Sequence, residues 1–308
     1  MRVSVWYVLT SDGEREHRDL VLASAHVLRR VDPATTLGLA LDERSAAAAD
    51  RDGIRFSEIF EHVRLDNCSE HTPLARHRSI KLRLRLETKG DFCYVDSDTL
   101  AVRALDCWPK DVPDVGMVFD CIPGAPNRKG PSEYARAMFT KIGWPYPGDR
   151  YFNSGVSLWR DTASAHRFAE AWYRNWQTST EAGVMQDQPA LAQTDKELRS
   201  MVSVLPHMFN AQVNAWPGYA RDAVFWHFFY TQKERGEIIT IFDQLLQDVA
   251  HDRDLSWQKF DEARRRNYPW LKSKGFKWFL LAGNYGGAVA ELPHTSSRLL
   301  KRVLGSRK

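Results

Sequence analysis

Two hydrophobic periods alternate along the 308-residue chain. Residues 3–10 are a short apolar run rich in Val and aromatics, the pattern of a buried strand. After the polar turn Ser11-Asp12-Gly13, apolar residues recur every three to four positions over 16–31. This places Leu20, Ala23, Val27 and Val31 on one helical face. Asp32-Pro33 stops that helix, and residues 35–41 read as a second strand. Residues 55–65 fit a helix or a strand. Residues 74–88 are basic, with Arg76, Arg78, Lys81, Arg83 and Arg85. Leucines at 82, 84 and 86 alternate as in a strand, but the 80/84 and 82/86 pairs suit a helix, which we expect, with most of its cations facing water.

The next run, Phe92 to Val95, ends abruptly in Asp96-Ser97-Asp98. A run this short suits a buried strand of a mostly parallel sheet, and the carboxyl ends of such strands open into a ligand crevice. Carboxylates two apart on an extended backbone point the same way. They repel unless one is protonated or a cation joins them, and hard oxygen ligands suit Mg²⁺ or Mn²⁺. An isolated Asp-x-Asp is most often a solvated turn, so its context decides. Residues 116–119 form another strand, ending in Asp120, and residues 121–147, rich in Pro and Gly, predict a loop over the crevice. Residues 151–159 give a turn and a strand. Asp161 or Thr162 then caps a helix burying Ala165, Phe168, Ala169, Trp172 and Trp176. Asp187-Gln188-Pro189 reads as a cap and turn before a helix over 190–198.

Strand–helix–strand alternation predicts an α/β layer. No G-x-G-x-x-G follows the first strand, which excludes the usual dinucleotide-binding fold. Composition is that of a soluble globular protein. Cys68, Cys93, Cys107 and Cys121 lack C-x-x-C spacing and read as reduced thiols of a cytoplasmic protein. Residues 3–9 are too short to span a bilayer.

Charge changes the picture at the C-terminal end. Residues 251–308 hold 13 Lys and Arg against 5 Asp and Glu, whereas residues 1–250 hold 30 against 34. We therefore expect a catalytic body over 1–250 and a basic, aromatic, helical extension over 251–308. Arg264-Arg265-Arg266 precedes Tyr268, Trp270, Phe276, Trp278 and Phe279, interleaved with Lys272, Lys274 and Lys277, and Leu299, Leu300, Val303 and Leu304 add an apolar stripe. Such a mixture suits peripheral attachment to an anionic membrane surface, here the inner face, or a helix whose aromatics pack on the body. No recognised nucleic-acid module accompanies the charge, so no nucleic-acid partner is expected.

Taken in order, Tyr94-Val-Asp-Ser-Asp-Thr99, Phe152-Asn-Ser-Gly-Val156, Asp187-Gln188 and the late His227 with Lys233 resemble the metal-dependent GT-A glycosyltransferases, closest to family eight. The resemblance covers roughly residues 1–235. Family eight closes on H-x-x-G-x-x-K-P-W; here His and Lys keep their spacing, while Tyr230 stands at the Gly and Glu234-Arg235 at Pro-Trp. The resemblance implies a GT-A fold with a mostly parallel sheet, and transfer with retention from a nucleotide-diphosphate sugar, a UDP-sugar, to a glycan or lipid-linked acceptor. It implies that Asp96, Asp98 and His227 hold Mn²⁺ or Mg²⁺, and that Asn153, Asp187 and Gln188 bind the transferred sugar and carry the catalytic step. Donor contacts fall to Thr10, Asp12, Ser97, Asp96 and Lys233, with Arg76 and Lys81 reaching the diphosphate; Asp120 and Asp66-Asn67 are further candidates near the nucleoside.

Two other readings compete. Val95-Asp96-Ser97-Asp98-Thr99 also fits the haloacid-dehalogenase phosphatase signature, with Asp96 as nucleophile and Asp98 as acid/base. That motif normally opens the first strand, and no downstream acidic pair completes its metal site. A non-catalytic nucleotide-sugar-binding protein is the third.

Overall fold

The computed structural model describes residues 3–105, 109–121, 130–229 and 239–292. Strands β1 (Ser4–Leu9), β2 (Leu37–Asp42), β3 (His62–Asp66) and β4 (Phe92–Val95) are joined by helices α1 (Arg15–Val31), α2 (Glu43–Arg51) and α3 (Pro73–Glu87). Next come β5 (Thr99–Ala101), β6 (Val115–Phe119), α4 (Glu133–Ile142), β7 (Phe152–Trp159), α5 (Ala163–Glu181), α6 (Asp187–Glu197) and β8 (Val202–Val204). The chain ends with β9 (Ala211–Gln212), β10 (Phe225–His227), α7 (Ile241–Ala250), α8 (Trp257–Arg265) and α9 (Phe276–Leu281).

Among the described residues the main sheet has seven strands in the order β3-β2-β1-β4-β7-β6-β8. Only β7 runs against its neighbours, so the sheet is mostly parallel, as the short apolar runs predict. The chain leaves β1 toward β2 and β3, then returns to add β4 on β1's other side. That reversal opens a crevice at the carboxyl ends of β1 and β4. Both faces are covered, which is why these strands are continuously apolar. Val5, Tyr7 and Leu9 face α1 and α2, while Trp6, Val8 and Tyr94 face α3 and α5. Because β7 is antiparallel to β4, with Val95 opposite Val156, its first residues Asn153, Ser154 and Gly155 arrive at the carboxyl end of β4.

Several expectations are corrected. Residues 55–65 are a 3-10 turn at Phe56–Glu58 followed by β3. The expected loop over 121–147 contains α4, capped by the Ser132 hydroxyl on the Ala135 N–H and ended by Gly143 at φ 82°. Its Pro and Gly mark the flanks, not the interior. Helix α6 begins at Asp187, so Pro189 sits in the first turn, where a missing N–H costs no helical hydrogen bond. The cations of α3 do not form a solvated face: Arg76, Lys81 and Arg85 are buried. Their leucines and arginines alternate without a clean stripe because both sides of the helix are covered.

A smaller sheet, β5-β10-β9, lies beneath α1 and α7. Residues 257–282 pack against the same core: Phe260, Tyr268 and Trp270 are buried beside Trp226, Phe242 and Val27. Tyr268 and Trp270 thus belong to the interior, which fits the reading in which the C-terminal aromatics pack on the body. The stripe from Leu299 to Leu304 lies outside the described residues. No helix among the described residues is long and apolar enough to cross a membrane.

Candidate metal centre

Asp96 follows β4, Asp98 precedes β5 and His227 ends β10. Antiparallel pairing of β5 with β10 puts His227 opposite Thr99, and the Phe228 N–H donates to the Asp98 carbonyl at 3.1 Å. This short ladder carries the imidazole across 128 intervening residues to its place, with Nε2 3.3 Å from Asp98 Oδ1. One ligand atom from each of Asp96, Asp98 and His227 lies within 4.8 Å of the others, the one such cluster among the described residues. Only a glycine fits at position 155 beside them. A Cβ there would lie 2.4 Å from His227 Cε1 and 2.8 Å from Asp96 Oδ2. Two carboxylates and one imidazole brought this close fit a divalent cation.

The electrostatics agree. Burial alone would raise Asp96, but Lys81, Arg78 and His227 hold it at about 2, so it is ionised. Burial would lower His227, yet Asp98 raises it above the usual imidazole value. Tyr94, kept protonated by burial, donates its hydroxyl to Asp96 Oδ1. Lys81 Nζ is 3.3 Å from Asp96 Oδ1, 3.0 Å from Ser154 Oγ and 3.2 Å from Asp187 Oδ2. The Ser154 hydroxyl donates to Asp187 Oδ2 at 2.7 Å, and Arg78 Nε lies 3.4 Å from Asp187 Oδ1. Against its burial, Arg78 and Lys81 hold the Asp187 carboxyl well below the usual range. Its place in the first turn of α6 favours the same charge. His77, beside Arg78, is pushed down to about 3 by burial and is neutral. A cleft of about 280 Å³ opens against this group, walled by Leu9, Thr10, Leu74, Arg78, Ser97 and Asp98.

The sequence candidates divide between this cluster and other places. Asp96, Ser97, Asp98, Lys81, Asp187 and His227 come together. Thr10 lines the cleft, its hydroxyl donating to the Pro73 carbonyl at 2.7 Å. Asn153 and Gln188 stand behind the triad: Asn153 bonds Asp120 and Asn210, and Gln188 Nε2 donates to the Phe152 carbonyl at 3.1 Å. Arg76 faces β2, away from Asp96. Its guanidinium donates to Asp42, to Asp12 at 2.7 Å, and to the carbonyls of Ser11 and His71. Asp12 is therefore held by Arg76 and Arg44, and Asp66 pairs with Arg64. Lys233 lies outside the described residues. Sequence reasoning missed Arg78, Tyr94, Ser154 and Asn210. Arg78 is one helical turn from Lys81, a spacing that could have been used; Asn210 carries no local signal.

Fold and site together define a GT-A-like α/β protein with an acidic and imidazole cluster at the switch point of its sheet. No family model and no curated protein matches the sequence. Among solved structures, the chain is similar to the galactosyltransferase LgtC, solved with donor and acceptor sugar analogs. The TM-score is 0.50 at 15% identity, over 83% of this chain and 99% of that one. It is also similar to the glycosyltransferase GlyE of Streptococcus pneumoniae TIGR4, with TM-score 0.50 at 14% identity over 89% of this chain and 67% of that one. The bifunctional glycosyltransferase WbbM gives TM-score 0.49 at 14% identity over 85% of this chain, which spans 51% of WbbM. At these identities the likeness is one of fold.

Proposed function

We propose that the chain is a metal-dependent glycosyltransferase that moves a sugar, with retention, from a UDP-sugar to a glycan or lipid-linked acceptor. The convergence of Asp96, Asp98 and His227 at the mouth of a cleft carries this reading, supported by the glycosyltransferases that share the fold. When bound by these three residues, Mn²⁺ or Mg²⁺ would offset charge developing on the departing nucleoside diphosphate. Lys81 and Arg78 hold Asp187 ionised, and a fixed carboxylate suits the cationic, oxocarbenium-like sugar of such a transfer. Ser154 and Lys81 keep its oxygens aimed. Lys233 would supply a further positive charge to the diphosphate. Tyr94 and Lys81 already engage Asp96, which disfavours its use as the nucleophile of a phosphatase.

The same reading gives the C-terminal segment a role. Leu280, Tyr285, Val289 and Leu292 are exposed near the exposed Lys272, Lys274 and Lys277, a pattern that suits the headgroups of an anionic membrane carrying the acceptor. A thermal-shift panel of nucleotide sugars, with and without Mn²⁺, followed by assay of nucleoside diphosphate release, tests the function. We expect stabilisation by UDP-sugars that needs Mn²⁺, and hydrolysis or transfer of the same donors. Phosphate release from a phosphomonoester with Mg²⁺ would point to the phosphatase; binding without turnover, even with glycan acceptors, would leave a binding protein. Cosedimentation with phosphatidylserine vesicles should be salt-sensitive and weaker for Tyr285→Glu/Val289→Glu; equal sedimentation of both proteins removes the membrane role.

A further inference from the structure

Behind His227 runs a chain of buried amides whose direction is fixed. His227 Nδ1 is 2.9 Å from Asn210 Oδ1, Asn210 Nδ2 is 2.8 Å from Asn153 Oδ1, and Asn153 Nδ2 is 2.9 Å from Asp120 Oδ1. An amide can in principle face either way, but a backbone N–H can only donate. The Gly155 N–H lies 3.0 Å from Asn153 Oδ1, so that oxygen must accept there and Asn153 must turn its NH₂ toward Asp120. Asp120 agrees, because the groups around it are donors: Asn153, the Gln188 side chain and the Cys121 N–H. With Asn153 Oδ1 accepting, Asn210 must offer its NH₂ to it and its oxygen to His227. Only Nδ1–H can meet that oxygen. The Nε2 lone pair is then left facing Asp98.

We propose that Asn210 is a positioning residue which, through Asn153 and Asp120, locks His227 in the Nδ1–H tautomer and thereby makes it a cation ligand. Water does not compete with the lock, because Asn210 is fully buried and Asn153 and His227 are 5% and 3% exposed; the opposing pull comes from the Asp98 carboxylate, 3.3 Å from Nε2. Asn210 is placed by its own ladder. It ends the 3-10 turn His207–Asn210, immediately before β9, whose Gln212 pairs in parallel register with His227. The relay also gives Asn153 work other than binding sugar. In metal sites, partners that fix the tautomer of a ligating imidazole typically matter 10–100-fold in affinity, on the order of magnitude expected here.

The proposal rests on the triad being a metal site, and two measurements on the full chain separate the parts. The ¹⁵N shifts of His227 in metal-free protein, at a pH where the ring is neutral, read the tautomer; Mn²⁺ binding, followed by electron paramagnetic resonance, reads affinity. Wild type should show Nδ1–H. Asn210→Leu, which cannot accept a hydrogen bond, should lose that preference and bind Mn²⁺ about 10–100-fold more weakly. Asn210→Asp keeps an acceptor toward His227 and should keep the tautomer and most of the affinity. An Nε2–H ring in wild type overturns the proposal, whether or not the leucine variant folds. Unchanged tautomer and affinity in folded Asn210→Leu overturn it as well. The expected tautomers without Mn²⁺ binding in any variant would uphold the lock and remove the metal reading.

Discussion

Helix α3 feeds two charge clusters, each built on a cation buried on that helix, and they differ in two respects. At its start, Arg76 meets Asp42 and Asp12, and Arg44 completes the group on Asp12: two cations, two carboxylates, with Arg76 donating to four residues. Later on the same helix, Arg78 and Lys81 meet Asp187, Asp96 and, beyond them, Asp98 and His227: three carboxylates against two permanent cations. The first cluster is electrically closed and ties α3 to β1 and β2. The second sets three carboxylates against two permanent cations beside the cleft that Asp96 and Asp98 line. Burial alone does not distinguish structural from functional ions. The balance of charge and the presence of room do.

The largest effect should come from breaking the closed cluster. Arg76→Met strands Asp42, which is 2% exposed, and should cost about 3–5 kcal/mol in urea unfolding while leaving Mn²⁺ affinity of the folded fraction unchanged. A loss below about 1 kcal/mol would show that the cluster does not hold the fold. Asp98→Asn should do the reverse. Donor turnover should fall by on the order of 10² or more, with the circular dichroism spectrum kept. Near-normal turnover without added metal would dissolve the distinction. The smallest effect is a pH dependence. The folded Asp187 carboxyl is held below its unfolded value of about 3.9, so its stabilisation is full above that pH and fades as pH falls toward the folded value. Wild type should exceed Asp187→Asn by about 1.5–3 kcal/mol at neutral pH, and the gap should narrow below about pH 4. A gap independent of pH would mean that Asp187 acts through packing alone.

The acidic pair was legible in the sequence because it is local: a four-residue strand and two carboxylates in one reach of backbone. The α/β class was legible for the same reason, since β1, α1, β2 and β4 each announce themselves by period. His227 was reached only through its spacing to Lys233 within a family pattern. What escaped depends on which way a helix faces. Arg76 and Arg78 are two residues apart and indistinguishable as letters, but α3 turns one to β2 and the other to Asp187. Helix α4 was hidden by its flanks, and Asn210 by having no neighbourhood at all. The burial of Tyr268 and Trp270 was one of two readings of a basic, aromatic segment, and its charge could not decide between them.

The pairing of β5 with β10 has a consequence for quality control during folding. Each strand is three residues long, and successive side chains on a strand point to opposite faces. A slip of one residue would turn His227 away and present Trp226 or Phe228 to the carboxylates. Such a chain could keep much of its main sheet, yet it would lack the third ligand. Capture of the proposed cation would therefore reward only the correct register, by mass action on the species that has it. The ion wanted for chemistry would serve first as a proofreader of a very short seam.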